Sequence, residues 1–295
     1  MNRDQPALDD LASFARIEMD ANDSDPWGGM FKSLHELGAL DYTETLWLVK
    51  GYNTYDDFNS AWRFTRRWES PFAWATAADG QDAADYWCTT ERRNLRGGRV
   101  IQHLSSFVAH VQHDQEAWLR VGLVGDDPQI NFKAFQPYLR QIWGVGRQSA
   151  FEWSEHLAKA LGWPLEAVDA ELWESEGPRR SLQRLYGNPS PDLNWLNDAA
   201  LDAKTFLKDE GVDVVWEDFE TLICNFNTMR EGRYYPGRHL AGLREELDQC
   251  PTADKAVLDA AWERTVPPGW RDIRPGTDKE KGRVYRDSGR MLDAP

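Results

Sequence analysis

The sequence predicts an all-α protein, and three observations support this class. Apolar residues recur every three or four positions in many segments, which is the spacing of helices with one buried face. No convincing run of alternating apolar and polar residues, the pattern of a half-buried strand, is found. Glycine and proline separate the apolar segments, as they do where helices end. With 295 residues, 41% of them hydrophobic, the chain can bury a sizeable core in one large domain or two smaller ones.

The first helices are predicted from apolar spacing. Residues 31–50 form the first of them, because Phe31 and Leu34 begin a helical spacing that continues after a break at Asp41. Residues 58–68 form the second, which ends at Ser70 because the residue before a proline avoids the helical conformation. Further helices are expected at residues 100–119, 132–143, 149–161, 193–210, 216–229, 240–247 and 253–265.

Composition suggests a division of the chain into three parts. Residues 1–30 are acidic and are expected to form a loose lead-in, 31–265 form one helical region, and 266–295 form a basic tail. No apolar run approaches the roughly 20 residues that span a bilayer, and the N-terminus lacks the apolar stretch of a signal peptide. We therefore expect a cytoplasmic protein with no membrane partner. The three cysteines make no metal spacing and are expected to be reduced.

Charge alone argues against a nucleic-acid partner, because the net charge is −15. Arginines nevertheless cluster in four places, and the planar guanidinium suits phosphate well. Any single cluster could be a solvated helix face, but four in an acidic protein favour an anionic partner. The clusters are Arg63, Arg66 and Arg67; Arg92, Arg93, Arg96 and Arg99; Arg179, Arg180 and Arg184; and Arg230, Arg233 and Arg238.

A glycine turn between two predicted helices is the first candidate functional motif. Gly144, Val145 and Gly146 separate the helices, and Arg147 and Gln148 open the second one. Such a turn exposes backbone N–H groups at a helix N-terminus, where the helix dipole attracts phosphate. An ordinary turn between two core helices is the alternative. The small residues that follow, and a long helix on each side, favour a DNA-phosphate contact near residues 135–161.

The turn and its flanks resemble the helix-hairpin-helix DNA glycosylase superfamily, in particular the endonuclease III branch. Gly144 to Arg147, Gly162-Trp-Pro164 and Ala167-Val-Asp169 carry this resemblance. Gln148 stands where that branch has a catalytic lysine, and the four-cysteine iron–sulfur loop is absent. The resemblance implies a glycosylase-like helical fold, but Schiff-base lyase chemistry would lack its amine.

Two further blocks give a narrower resemblance. Residues 177–187 and 218–238, together with the turn, resemble the α-glutamyl/putrescinyl thymine pyrophosphorylase family of bacteriophages, also described as amino acid:DNA transferases. The similarity runs from about residue 135 to 250 and extends weakly to 52–74, and Gly232 to Arg238 is its most specific part. It implies that an amine displaces pyrophosphate from pyrophosphorylated 5-hydroxymethyluracil in DNA. The implied location is the cytoplasm of an infected bacterium.

This chemistry requires cations for the leaving group and a base for the amine. Arginines at predicted helix starts and loops suit the pyrophosphate, namely Arg179, Arg180, Arg233 and Arg238. The carboxylates of Asp218 and Glu155 are the candidate bases. Cys224 is a further candidate, whose thiolate could add to C6 of the uracil. A buried, inert cysteine is the favoured alternative.

The target base must leave the stack, so an aromatic pocket is required. Tyr234 and Tyr235 could stack on the base, or they could pin their loop to the core. Tyr52, Asn53 and Arg67 could contribute to the same pocket, and a simple surface role is the alternative.

Two other functions stay open from the sequence. The first is a monofunctional DNA glycosylase in which Asp169 activates water, and the second is a non-catalytic DNA-binding module of a modification complex. The expected partners are the modified DNA and a small amine, either an amino acid or a polyamine. No cofactor is required, although magnesium could assist the departure of pyrophosphate.

Overall fold

A computed structural model describes residues 4–172 and 175–272, and within these ranges the regular elements are all helices, so the all-α prediction is confirmed. The α-helices in chain order are α1 (Gln5–Ala21), α2 (Pro26–Glu36), α3 (Tyr42–Tyr55), α4 (Phe58–Arg67), α5 (Pro71–Thr76), α6 (Gly98–Val111), α7 (Gln115–Val121), α8 (Pro128–Leu139), α9 (Arg147–Leu161), α10 (Glu176–Tyr186), α11 (Leu193–Asp209), α12 (Trp216–Arg230), α13 (Arg238–Asp248) and α14 (Lys255–Thr265). Short 3₁₀ helices lie at Gly80–Asp85, Arg93–Leu95, Thr252–Asp254 and Pro268–Trp270.

The N-terminal segment differs from its prediction as a loose lead-in. Residues 5–21 form α1, which Asp4 begins by accepting a hydrogen bond from the backbone N–H of Ala7 at 3.3 Å. Its apolar face is fully buried, with Leu8, Leu11 and Phe14 at 0% exposure. The expectation of looseness was wrong because three exposed acids on α1, together with the acids that follow it, hid a regular apolar face.

The segment predicted as one helix over residues 100–119 forms two. Helix α6 ends at Val111, and Gln112 adopts a left-handed φ of 52°. Asp114 then accepts a hydrogen bond from the N–H of Ala117 at 2.9 Å and begins α7. An aspartate that caps a new helix breaks an apolar periodicity that would otherwise continue. The break at Asp41 was predicted and is present, since Asp41 and Glu44 form a capping box at the start of α3.

The chain divides into two compact units. Unit 1 consists of Met1–Pro26, Ala167–Gly242 and Val266–Pro295, and unit 2 of Trp27–Glu166 and Leu243–Thr265. In unit 1, α1, α10, α11 and α12 enclose one apolar core. The predicted basic tail, residues 266–295, lies outside the described residues beyond position 272.

Unit 2 is built around α3. Helix α3 packs against α4 and α9, and its residues from Thr45 to Tyr55 are buried. Aromatic rings fill much of this interior: the Trp47 ring centroid lies 4.7 Å from that of Phe64, and Phe107 lies 5.7 Å from Trp153. Many of the fifteen tryptophans therefore fill core volume.

No helix within the described ranges combines the length and the apolar composition that crossing a membrane requires.

A carboxyl enclosed in unit 2 gives its stability a pH dependence. Glu246 Oε2 accepts hydrogen bonds from the N–H of Phe58 at 2.9 Å and from Trp27 Nε1 at 3.1 Å. Burial, and next the charge of Asp57, raise the pKa of Glu246 from 4.5 to about 8. The folded state therefore favours the neutral acid.

We predict that the free energy of unfolding falls as the pH rises from about 4.5 to about 8, because the unfolded chain ionises Glu246 first. Glu246→Gln keeps an acceptor for both donors and removes the titration, so its stability should change less over this interval. Denaturant unfolding at several pH values measures the difference. Glu245→Gln, on the exposed neighbour, is the control and should follow the wild type. Parallel profiles for Glu246→Gln and wild type would refute this role.

Candidate functional site

The glycine turn of unit 2 leaves a helix N-terminus without a side-chain cap. Helix α8 ends at Leu139 and α9 begins at Arg147, with Gly146 at the N-cap. Glycine has no side chain that could accept from the first N–H groups of α9. Gly146 is exposed, and a Cβ added to it would meet no atom within 4 Å. A phosphate could therefore approach these N–H groups closely.

Gly144 has a different role in the same turn. Its φ is +86°, in the region that favours glycine. A Cβ at this position would also lie 2.9 Å from Leu95 Cδ2 and 3.3 Å from His103 Nδ1. Gly144 is therefore required for the conformation of the turn, whereas Gly146 keeps the approach to α9 open.

Side chains from α3 and α6 hold the turn in place. His103 Nδ1 lies 2.7 Å from the carbonyl oxygen of Trp143, and the N–H of Trp143 donates to Ser106 Oγ at 2.9 Å. On the other side, Asn53 Nδ2 donates to the carbonyl oxygen of Ser149 at 2.7 Å. Asn53, predicted for a base pocket, thus fixes the first turn of α9.

A buried lysine lies beneath this anchor. Lys50 has 0% exposure, and its Nζ lies 2.6 Å from His103 Nε2 and donates to Thr54 Oγ1 at 2.7 Å. Nζ also lies 5.0 Å from the centre of the Trp153 ring. Burial, followed by a neighbouring positive charge, lowers the pKa of both Lys50 and His103. A neutral His103 can then donate through Nδ1 to Trp143 and accept from Lys50, which joins the turn to the core.

The other predicted residues of unit 2 contact side chains of their own unit. Glu155 pairs with Lys159 at 2.6 Å. Tyr52 is 4% exposed and packs against Phe31, with ring centroids 5.4 Å apart. Gln148 is exposed and donates to Glu152 at 2.8 Å. Arg67 pairs with Asp79 and Asp82, and Arg147 is partly exposed with its guanidinium 6.0 Å from the ring of Phe151.

In unit 1, helices α10 and α12 bring the two family-like blocks together. A Cβ added to Gly177 would lie 2.5 Å from Cys224 Sγ, so only glycine allows this close packing. Burial, and next the charge of Glu220, raise the pKa of the Cys224 thiol to about 12. A thiolate is therefore unfavourable there at neutral pH, which favours the alternative of a packed, inert cysteine.

The candidate arginines of unit 1 lie on α10 and around the loop of residues 231–237. Arg179 is partly exposed on α10, and Arg180 pairs with Glu176 at 2.5 Å. Arg233 pairs with Glu231, which also binds Arg184 at 2.8 Å. Arg238 begins α13, and its guanidinium lies 5.9 Å from the centre of the Tyr234 ring. These four arginines lie near the start of α10, in the loop and at the start of α13, where an anion could reach them.

Buried carboxyls of the N-terminal segment fix this loop. Asp23 Oδ2 accepts hydrogen bonds from Tyr234 Oη at 2.6 Å and from the N–H of Gly237 at 2.7 Å, and Asp23 Oδ1 accepts from the N–H of Leu240 at 2.7 Å. Tyr234 Oη also lies 3.0 Å from Glu18 Oε2. Since Leu240 lies in the first turn of α13, Asp23 caps that helix and sets the position of Arg238.

Burial raises the pKa of both carboxyls in this anchor. In Glu18 the next cause is the charge of Asp23, and the pKa rises well above its usual value. In Asp23 the charge of His239 and the hydrogen bonds with Tyr234, Leu240 and Gly237 partly offset burial. The pKa of Glu18 is therefore raised further than that of Asp23, whose hydrogen bonds and neighbouring His239 favour its charged form.

The comparison with family models decides the identity. The model of the family described as "Amino acid:DNA transferase" matches residues 37–234, two thirds of the chain. The chain belongs to the amino acid:DNA transferase family. A comparison with curated proteins gives no match. The protein is therefore a transferase that modifies DNA, with DNA and an amino acid as its partners.

The matched region of this amino acid:DNA transferase includes the glycine turn, α10, α12 and most of the loop before α13. Of the predicted base-pocket tyrosines, Tyr234 is 1% exposed and Tyr235 is 3% exposed. Their burial favours the alternative in which they pin the loop to the core. Asp218 lies in the first turn of α12 and accepts from Ser24 Oγ at 2.8 Å.

The sequence patterns did not indicate several buried polar residues of this transferase. Asp23 and Glu18 were hidden in an acidic segment, and Lys50 and His103 in apolar runs. The position of Lys50 could have indicated this cluster, because Lys50 lies between the apolar residues 46–49 and Tyr52. A charged side chain inside an apolar run requires a buried partner. Within residues 4–172 and 175–272, no three His, Cys, Asp or Glu side chains are grouped so as to hold a metal ion.

Proposed function

We propose that this amino acid:DNA transferase displaces pyrophosphate from 5-pyrophosphoryloxymethyluracil in DNA with the amino group of an amino acid; a polyamine is the second donor to test. The observation that carries the proposal is the family match, which includes the turn, the block at residues 177–187 and the second block as far as Tyr234. The amine nitrogen forms a bond to the exocyclic carbon, the carbon–oxygen bond breaks, and pyrophosphate leaves. The nitrogen loses a proton, and the glycosidic bond stays intact.

We propose that the glycine turn of unit 2 binds the DNA backbone, as the turn of a helix-hairpin-helix protein does. The open N-terminus of α9 and the exposed Gly146 support this role, because uncapped N–H groups and the helix dipole attract phosphate. With one strand held, the modified base would leave the stack for reaction. We propose that the protein acts in the cytoplasm of a bacterium infected by a phage.

The pyrophosphate is proposed to meet the arginines of unit 1. Arg179, Arg180, Arg233 and Arg238 lie on two helix termini and one loop, and each can donate two hydrogen bonds to phosphate oxygens. Arg180 and Arg233 pair with glutamates on their own segments, and a pyrophosphate would compete for those pairs. Stabilising the leaving group in this way would lower the barrier to carbon–oxygen cleavage.

Gly146→Val should weaken DNA binding about tenfold or more, because the new side chain obstructs the approach of a phosphate, while its Cβ has no protein atom within 4 Å. Thermal stability should stay close to that of the wild type. DNA titration by fluorescence anisotropy at fixed salt measures the effect. Gly125→Val is the matched control, since Gly125 is also exposed, lies in unit 2 and has open space at its Cβ position. Equal affinities of the two variants would contradict the phosphate contact.

One incubation tests the proposed reaction against its alternatives. The protein is mixed with DNA that carries pyrophosphorylated 5-hydroxymethyluracil and with a pool of amino acids and putrescine. Pyrophosphate release together with a mass gain on the base is the expected result. Abasic sites without an adduct would instead support a glycosylase in which Asp169 activates water. Binding without either product would support a non-catalytic module.

A further inference from the structure

A polar cluster lies at the C-terminal end of α3. Asp56 follows α3 with a left-handed φ of 55° and is partly exposed. Its Oδ2 accepts a hydrogen bond from Thr89 Oγ1 at 2.5 Å. Its Oδ1 makes no hydrogen bond to any residue in the described ranges. One carboxylate oxygen is thus held in place while the other stays available.

A second oxygen without a donor lies close to Asp56 in the sequence. Asn53 lies one helical turn earlier on α3, and its buried Oδ1 has no hydrogen-bond partner within the described part of the chain. Arg92 is 2% exposed, donates from Nε to the carbonyl oxygen of Asn53 at 3.0 Å and pairs with Glu152. The hydrogen bonds of Arg92 go to the Asn53 carbonyl and to Glu152, and neither Asp56 Oδ1 nor Asn53 Oδ1 accepts a hydrogen bond within the described residues, so both oxygens can accept from an additional donor. A primary ammonium group, with three N–H donors, has this chemistry.

We propose that Asp56 binds the ammonium group of the incoming amino acid and acts as the general base of the transfer. The carboxylate takes one proton from the ammonium, which leaves a neutral amine with a lone pair and a neutral Asp56. The amine then attacks the exocyclic carbon as the carbon–oxygen bond breaks and pyrophosphate leaves. The nitrogen passes its second proton to solvent water, and Asp56 also returns its proton to solvent. The inference rests on the proposed function for the attack, but the binding of the ammonium group does not depend on it.

The electrostatic setting of Asp56 is compatible with this task. Burial raises the pKa of Asp56 to about 6, the charge of Arg92 lowers it, and that of Glu152 raises it. At neutral pH the group is mostly ionised, and its conjugate acid is close enough to the working pH for efficient proton transfer. The charged and titratable groups that face Asp56 are Arg92, Glu91 and Cys88 from the segment before α6, Glu152 from α9, and Glu246 from α13.

The same cluster is joined to the DNA-binding turn. Asn53 donates to the carbonyl oxygen of Ser149 in the first turn of α9, and Gln148 donates to Glu152, the partner of Arg92. Asp56 therefore directly follows α3, the helix whose Asn53 fixes the first turn of α9. This arrangement places the proposed base in unit 2 with the DNA contact.

Asp56→Asn tests the proposal with little risk to the fold. Asparagine tolerates a left-handed φ, has the same shape, and can accept from Thr89. We expect kcat/KM with an amino acid to fall about 10²–10⁴-fold and the Kd for DNA to stay within about twofold. In the wild type, protonation of Asp56 should lower the activity as the pH falls through about 6, and this limb of the pH profile should disappear in the variant. Hydroxylamine, which is largely unprotonated at pH 7, should restore most of the loss because it needs no base.

Glu91→Gln is the control. Glu91 is exposed, and its charge raises the pKa of Asp56, so the variant should keep the limb and move it slightly to lower pH. A second readout needs no turnover: at pH 6, amino-acid binding to the wild type should release a proton, since a bound cation lowers the pKa of Asp56. Calorimetry in two buffers of different ionisation enthalpy measures this release, which Asp56→Asn should abolish.

The outcomes separate the two proposals. If the wild type turns over and Asp56→Asn matches it, or shows an equal loss with hydroxylamine, Asp56 is not the base. If the wild type releases no pyrophosphate yet shows proton release that depends on Asp56, the proposed reaction is wrong and the amine site stands. Absence of both turnover and proton release in the wild type overturns both.

Discussion

Asp23→Ala is expected to destabilise unit 1 by about 3 kcal/mol or more, and turnover should be lost with it. The change leaves Tyr234 Oη and the N–H groups of Gly237 and Leu240 without their buried acceptor, and each such loss costs about 1–3 kcal/mol. For a chain of this size, the melting temperature should fall by roughly 6–12 °C. The loop before α13 would lose its fixed position, and Arg238 with it. Thermal melting and turnover well below the transition measure both effects.

Asp20→Ala is the matched control for Asp23. Asp20 lies near the C-terminal end of α1, three residues before Asp23, is exposed, and accepts a hydrogen bond of 3.3 Å from Trp270 Nε1. Its replacement should change the stability by less than about 1 kcal/mol. If Asp23→Ala melted together with Asp20→Ala and kept full turnover, Asp23 would not be the anchor of the loop.

Arg238→Ala should lower kcat by about 10²–10³-fold while the Kd for DNA changes by less than about twofold. The proposed role of Arg238 is to stabilise charge on the departing pyrophosphate, and removing one such donor has an effect of this size. Added pyrophosphate should also inhibit the variant more weakly than the wild type, because its binding group is missing. Turnover, DNA titration and product inhibition together distinguish this role from a structural one.

Arg230→Ala is the matched control for Arg238. Both arginines lie in unit 1 near an aromatic ring, with guanidinium-to-ring distances of 5.7 Å for Arg230 and Phe226 and 5.9 Å for Arg238 and Tyr234. Arg230 is exposed at the end of α12 and has no proposed catalytic role. Its replacement should leave kcat close to the wild-type value. Equal activity of the two variants would mean that the pyrophosphate binds elsewhere.

The sequence predicted those features that depend on local spacing. The helical class, the break at Asp41 and the glycine turn before Arg147 follow from periodicity, capping and the properties of glycine, which act within a few residues. The helix start at Gln5 was missed because acids on its exposed face dominated the composition. The break near Gln112 was missed because apolar spacing continued across it.

The site was harder to predict, because its decisive contacts join distant parts of the chain. Asp23 binds Tyr234 and Gly237 across more than 200 positions, and His103 contacts Trp143 across 40. Sequence motifs indicated Gly146 and Arg238, because both belong to short patterns of neighbouring residues. The motifs assigned Asn53 to a base pocket and did not indicate that its side chain holds the first turn of α9. Burial by distant segments also set the pKa of Cys224 and Asp56, which no local pattern encodes.

The most direct test of the proposed transfer labels the bond that must break. DNA is prepared with ¹⁸O in the bridging oxygen between the exocyclic carbon and the pyrophosphate, and it is incubated with the enzyme and a ¹⁵N-labelled amino acid. Displacement at carbon predicts that all ¹⁸O leaves with pyrophosphate and that one ¹⁵N remains on an intact base for each pyrophosphate released. Retention of ¹⁸O on the base, or pyrophosphate release without ¹⁵N incorporation, would contradict displacement by the amine.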